Sequence, residues 1–170
     1  MSLTLRPAIP ADVPTIFSLI QALAAYENLT DQVTGTAEQL HQHLFGETRY
    51  AEAILAEWEG VAVGFALFFN TYSTFLTRPG LYLEDLFVLP DYRRRGIGRA
   101  LLTRLGELAL ERQAGRLEWS VLDWNENAIA FYEHMGATVL PDWRICRVTG
   151  KALIDLANKA ISGNGYTNPS

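Results

Sequence analysis

Residues 81–102, LYLEDLFVLPDYRRRGIGRALL, leave this chain few folds to choose from. The run Leu81–Leu89 is apolar on both sides apart from Glu84 and Asp85, as in strands covered on both faces. Pro90 ends it. A turn with Arg93, Arg94 and Arg95 follows, and Gly96 then opens a helix carrying Ile97, Leu101, Leu105 and Leu108 on one stripe. A covered strand joined by a short turn to an amphipathic helix calls for layers of sheet and helix.

The flanking sequence fits such a layered domain. Leu3–Arg6 reads as a strand stopped by Pro7 and Pro10. Asp12 is placed to cap a helix bearing Ile16, Leu19, Ile20 and Leu23. Thr36-Ala37-Glu38-Gln39 has the form of a capping box for a helix running to about Gly46. Ala53–Trp58 and Val61–Tyr72 read as a hairpin turning at Glu59-Gly60. Beyond the helix that opens at Gly96 and ends at Gly115, Leu117–Leu122 reads as a strand and Asn125 to about His134 as a helix closed by Gly136. Two more strands are expected near Ala137–Leu140 and Arg144–Val148, then a helix over Lys151–Ile161. The order predicts one mixed α/β domain over residues 1–161, with a loose tail over 162–170.

Apolar residues make up 49% and charged residues 19% of the 170, ordinary globular usage. No apolar stretch approaches the roughly 20 residues that span a bilayer, and residues 1–14 lack a signal peptide's long apolar segment. The single cysteine, Cys146, excludes an internal disulfide and points to a cytoplasmic protein. A net charge of −5 argues against general nucleic-acid binding and for cationic partners.

A strand, a turn and a glycine-opened helix suit an anion. The first N–H groups of a helix lack intrahelical acceptors and point outward at its positive end. Glycine admits close approach, and arginines add charge-assisted bonds. The P-loop pattern is absent, and the dinucleotide pattern fails where Leu101 replaces a small residue. What remains is Arg93-x-x-Gly96-x-Gly98.

That pattern after such a strand resembles the acetyl-CoA pyrophosphate loop of the GNAT superfamily of N-acetyltransferases. The segment Trp124–Ala137, WNENAIAFYEHMGA, resembles the family's second cofactor motif. With Leu23–Glu27 (LAAYE), Tyr82–Val88 (YLEDLFV) and Asp91-Tyr92-Arg93, the chain is similar to the spermidine/spermine (diamine) acetyltransferases and their thialysine-acetylating relatives. The resemblance implies the GNAT fold, a central mixed twisted sheet of about seven strands flanked by about four helices over residues 3–155. It also implies a homodimer.

The same resemblance implies the site. Backbone N–H groups of Leu86, Phe87 and Val88 would meet the acetyl carbonyl and pantetheine arm, and Arg93, Arg94, Arg95, Gly96, Ile97, Gly98 and Arg99 the pyrophosphate. Asn125 and Ala128 would bind further along acetyl-CoA. Tyr132 would protonate the leaving thiolate, and Glu84 would accept the amine's proton. Tyr26, Glu27, Glu84, Asp85, Trp119 and Asp142 would surround the amine.

The chemistry is consistent with that picture. An alkylamine with a pKa near 10.4 is an ammonium ion at neutral pH, so transfer needs a cation site, a base and donors for the developing oxyanion. Strict alternation puts Glu84 on the strand face of Tyr82, Leu86 and Val88, and Asp85 on the other. The expected acceptor is a small di- or polyamine or a thialysine-like amino acid, with direct transfer. Acetylation of a protein lysine or N-terminus, and a non-catalytic acyl-CoA-binding module, stand as alternatives.

Other residues read as structural. His41 and His43, two apart on a helix, do not face one metal. Cys146 beside Ile145 reads as a buried strand thiol, and Trp119 and Trp124 as core or pocket wall. The acidic balance argues against Arg93–Arg95 as a nucleic-acid patch.

Overall fold

The computed structural model describes residues 2–159. The chain divides after Ala128 into two compact units.

The first unit holds a five-stranded sheet in sequential order. Its strands are β1 (Leu3–Pro7), β2 (Glu52–Trp58), β3 (Val61–Ser73), β4 (Arg78–Val88) and β5 (Leu117–Trp119). The first four form an antiparallel meander, and β5 joins β4 in parallel. Glu59 and Gly60 turn β2 into β3 with φ of 50° and 82°, the doubly left-handed turn whose twist matches a hairpin.

Helices α1 (Val13–Tyr26) and α2 (Ala37–Phe45) cover one face. Ile16, Leu19 and Leu44 pack there with Ala53, Leu55, Phe65, Leu67 and Phe87 in one apolar cluster. Burial of each large side chain contributes about 1.5–3 kcal/mol. The Thr36 capping box forms as expected, with Thr36 Oγ1 accepting from Gln39 N–H at 3.2 Å and Gln39 Oε1 from Thr36 N–H at 3.1 Å.

Asp12 behaves differently from expectation. Its carboxylate accepts from Ile9 N–H and from Arg6, which also holds Glu57 of β2. The Arg6 guanidinium holds the Asp12 carboxyl below the usual range. A doubly bonded arginine is a stronger attractor for this carboxylate than the α1 N–H groups.

Helix α3 (Ile97–Glu111) carries the crossover from β4 to β5 and buries Ile97, Leu101, Leu102, Leu105 and Ala109. It lies on the other face of the sheet. Arg112, just beyond its end, stands over the ring of Phe68, whose side chain points away from that of its neighbour Leu67. Both faces of β4 are therefore covered, as its sequence requires.

Helix α4 (Glu126–His134) begins in the first unit and ends in the second. Gly136, at φ 98°, closes it: Gly136 N–H bonds Glu133 and Ala137 N–H bonds Tyr132. Residues 137–149 form neither helix nor strand. The two strands expected there are absent among the described residues, which show five strands and five α-helices rather than about seven and four. Apolar alternation supplies β propensity but not a partner edge, and here Trp143 is 80% exposed and Ile145 72%. Cys146 is correspondingly exposed, not a buried strand thiol. Helix α5 (Gly150–Ala157) follows. The tail expected over 162–170 lies outside the described residues. Among the described residues no helix is long and apolar enough to cross a membrane.

Candidate active site

The acids of β4 sit at an interruption in the ladder. Leu67 of β3 pairs with Asp85, whereas the next residue, Phe68, pairs with Leu83, so Glu84 is an extra residue with no partner. Directly paired residues share a face. Asp85 therefore joins Leu67, Phe65 and Phe87 on the α1 side, where Tyr82 also stacks on Phe69 at 5.2 Å. Leu86 and Val88 pair with Ala66 and Gly64 on the opposite face. This corrects the strict alternation that grouped Glu84 with Tyr82, Leu86 and Val88. Glu84 is exposed and Asp85 partly buried, so the carboxylate in apolar surroundings is Asp85. Two adjacent acids in a strand covered on both faces were the available signal, since alternation alone would bury one of them on each side.

Burial first, and then the charges of Glu84 and Glu27, together push the Asp85 carboxyl up to about 6. Glu27 caps the C-terminal end of α1, where its N–H bonds Leu23 at 3.0 Å. Among the described residues none of these three acids forms an ion pair, and no cluster of His, Cys, Asp and Glu has the arrangement to hold a metal.

Beyond the acids β4 has an unladdered edge. Its pairing with β5 covers Leu81–Leu83 only. Leu89 N–H bonds Val63 of β3 at 2.8 Å, so alternation turns the backbone groups of Val88 and Leu86 to the opposite edge and those of Phe87 to β3. On β3, Gly64 faces this segment closely: a Cβ there would lie 2.7 Å from the Phe87 carbonyl oxygen.

The turn after β4 winds through left-handed backbone at Arg94 (φ 61°) and Gly96 (φ 78°), and buried Ile97 anchors the start of α3. Its arginines divide. Arg93 points inward: Nε donates to the Val88 carbonyl at 3.1 Å, and the guanidinium lies 4.1 Å from the Tyr26 ring centroid. Arg95 lies over Trp58 and Tyr92, each at 5.2 Å. Arg94 and Arg99 are exposed and make no ion pair among the described residues. A hollow of about 380 Å³ flanks the turn, lined by Gly96, Arg99, Ala100 and Thr103 with Leu5, Arg104 and Glu107.

Gly98 supports a ligand role for this turn. Glycine inside a helix costs about 1 kcal/mol relative to alanine, yet a Cβ on Gly98 would meet nothing within 4 Å. The protein's own packing does not require it. The open space leaves room for an anion on the helix N-terminus, and these residues fit a pyrophosphate.

At the far side, Trp119 is partly buried on β5 opposite Leu83. Trp124 is 70% exposed, not core. Asn125 is the cap of α4: its Oδ1 accepts from Ala128 N–H at 3.2 Å, leaving its amide N–H₂ as donor. Tyr132, its ring 5.4 Å from that of Phe131, and exposed Asp142 belong to the second unit.

Comparison with known proteins accords with this geometry. Residues 19–137 match the model of the acetyltransferase (GNAT) family. A thialysine N-epsilon-acetyltransferase of Bos taurus is 37% identical over 91% of this chain and 97% of its own length. An L-ornithine N5-acetyltransferase of Arabidopsis thaliana is 35% identical over 88% of this chain and 85% of its own. Among solved structures, an integron cassette protein from the mobile metagenome of V. cholerae superposes with a TM-score of 0.78 at 24% identity, covering 94% of this chain and 99% of its own. The chain belongs to the GNAT family of acetyltransferases.

Proposed function

We propose that this enzyme transfers an acetyl group from acetyl-CoA directly to a primary amine of a small di- or polyamine or a thialysine-like amino acid. The observation that carries this reading is the acid cluster: Asp85, Glu84 and Glu27 lie within electrostatic reach of one another, and none forms an ion pair among the described residues. Such a cluster favours a cation. Relatives named for thialysine, L-ornithine and spermidine/spermine support the choice, since each of those amines carries a second ammonium.

Acetyl-CoA supplies the acetyl group as an activated thioester. The N–H groups of Gly96 to Arg99, with the side chains of Arg94 and Arg99, hold the pyrophosphate. Leu86 and Val88 offer fixed N–H donors where charge develops on the acyl oxygen, and the Asn125 amide adds a donor to the pantetheine arm. Exposed Glu84 receives the ammonium. Asp85, whose pKa of about 6 lies nearest the working pH, takes its proton. Tyr26, Glu27 and Trp119 complete the amine's surroundings within the first unit, while the roles of Asp142 as an amine ligand and Tyr132 as the acid for the departing sulfur rest on the family resemblance alone. Direct transfer is favoured because the acid cluster contains no thiol and the chain's one cysteine is Cys146. A homodimer and a cytoplasmic location complete this reading.

A diamine engages one acid with its reacting nitrogen and another with its remote ammonium. A monoamine of equal length loses the remote contact, so its kcat/KM should be roughly ten- to hundredfold lower. The measurement is kcat/KM for matched diamine and monoamine pairs, with thialysine alongside. Equal values would reject the reading, and activity confined to lysine-bearing peptides would move the assignment to protein acetylation.

A further inference from the structure

We infer that Arg93, the first residue of the arginine-glycine turn, is a positioning residue for the amine side of the site, not a ligand of the cofactor's phosphates. The inference rests on the reading that the amine binds at the acids of β4.

The geometry of Arg93 differs from that of its neighbours. Its Nε–H is committed to the Val88 carbonyl at 3.1 Å. The guanidinium carbon lies over the Tyr26 ring, 4.1 Å from its centroid, and 5.7 Å from that of Phe87, and the centroids of those two rings are 6.4 Å apart. Arg93 is partly buried, whereas Arg94 and Arg95 are exposed. Tyr26 is the last residue of α1 and is itself 56% exposed. Its ring meets Phe87 and Arg93. The next residue, Glu27, is the acid of α1 whose charge reaches Asp85. One side chain thus joins the end of β4 to the end of α1, with the acids on either side of the clasp.

Three features of arginine are used here: a planar face for the ring, an Nε donor for the carbonyl, and a stem long enough to reach both. Lysine keeps the charge but lacks the plane and the fork. A phosphate ligand would respond differently, because lysine binds phosphate as a point charge.

The test compares Arg93→Lys, Arg93→Met, Tyr26→Phe and Tyr26→Ala in the full chain. Acetyl-CoA Kd is measured calorimetrically without amine, KM and kcat with a diamine, and Tm for each protein. Wild-type turnover of diamines comes first; its absence from the whole amine panel defeats the proposed function, separately from this inference. With an active wild type, Arg93→Lys and Arg93→Met should each raise diamine KM about tenfold while acetyl-CoA Kd stays within about twofold. Tyr26→Phe, which keeps the ring beneath the guanidinium, should raise diamine KM less than Tyr26→Ala does. Tyr26→Ala should match Arg93→Met, and the double variant should be no worse than either single one. The acid limb of kcat/KM should also move to lower pH in Arg93→Met, because a released Glu27 no longer raises Asp85. An acetyl-CoA Kd raised tenfold in Arg93→Met but preserved in Arg93→Lys would make Arg93 a phosphate ligand. Additive losses, or a lowered Tm with unchanged KM and pH profile, would overturn the inference equally.

Discussion

The stretch from Glu84 to Arg99 handles charge in opposite ways at its two ends. At the acid end, Glu84, Asp85 and Glu27 make no ion pair among the described residues, and Asp85 is partly desolvated. At the other end three consecutive arginines look like a surplus, yet Arg93 and Arg95 are engaged by rings and carbonyl groups of the protein. A run of like charges therefore says little by itself. The better candidate for a binding site is charge left unanswered among the described residues: the acid trio at one end, Arg94, Arg99 and the helix N-terminus at the other.

The largest expected effect tests the acid end. Asp85→Asn removes the proton acceptor and should lower kcat/KM about 10²–10⁴-fold, with exposed Glu84→Gln costing less. In the wild type, kcat/KM should rise with pH through about 6, as Asp85 ionises, and Asp85→Asn should lose that limb. Stability runs the other way. The folded carboxyl holds its proton more tightly than the reference value of 3.8, so Asp85 weakens the fold as pH climbs from 3.8 to about 6 and Asp85→Asn removes that loss. A wild-type rate profile flat between pH 5 and pH 7, or a Glu84→Gln variant more damaged than Asp85→Asn, would break the contrast between the two acids.

The next effect tests the arginine end. Gly98→Val places a branched side chain on the helix N-terminus, in space the protein does not fill. Acetyl-CoA Kd should rise at least about tenfold, on the order of 1.4 kcal/mol, in a protein that still folds. Unchanged affinity would remove the pyrophosphate from this turn.

The smallest effect is the expected neutrality of Cys146→Ala. Exposed outside helix and strand, Cys146 should be replaceable with most of kcat retained and no acetylated protein accumulating on acetyl-CoA alone. A +42 Da adduct on Cys146 (one acetyl group replacing hydrogen), with turnover lost in the variant, would replace direct transfer by a covalent path.

Local chemistry made much of this fold legible. The Thr36–Gln39 box, the Glu59-Gly60 turn and the glycine before α3 each act within a few residues, and each formed where the sequence put it. Pairing between distant segments was not legible. The unpaired Glu84 depends on how β3 lies against β4, and it puts Asp85, not Glu84, on the face of Tyr82. The inward turn of Arg93 depends on where α1 ends, and Asn125 reads equally as a ligand or as a helix cap until α4 is in view. Residues 137–149 had β propensity, yet no strand formed there. The sequence offered candidate residues more readily than it showed how the fold would place them.

Gly64 shows where tolerance to change will mislead. It carries no charge, belongs to no recognisable motif and sits on a neighbouring strand, so a mutational scan would class it as scaffold. Yet the atom nearest any added methyl is a main-chain oxygen of Phe87, 2.7 Å away, and main chain cannot swing aside as a long side chain can. Strand β4 would have to shift where Leu86 and Val88 turn their N–H groups to the open edge. Substitution there should register as lost activity in a protein that still folds, and a silent-looking position would map onto the edge proposed to bind the acyl group.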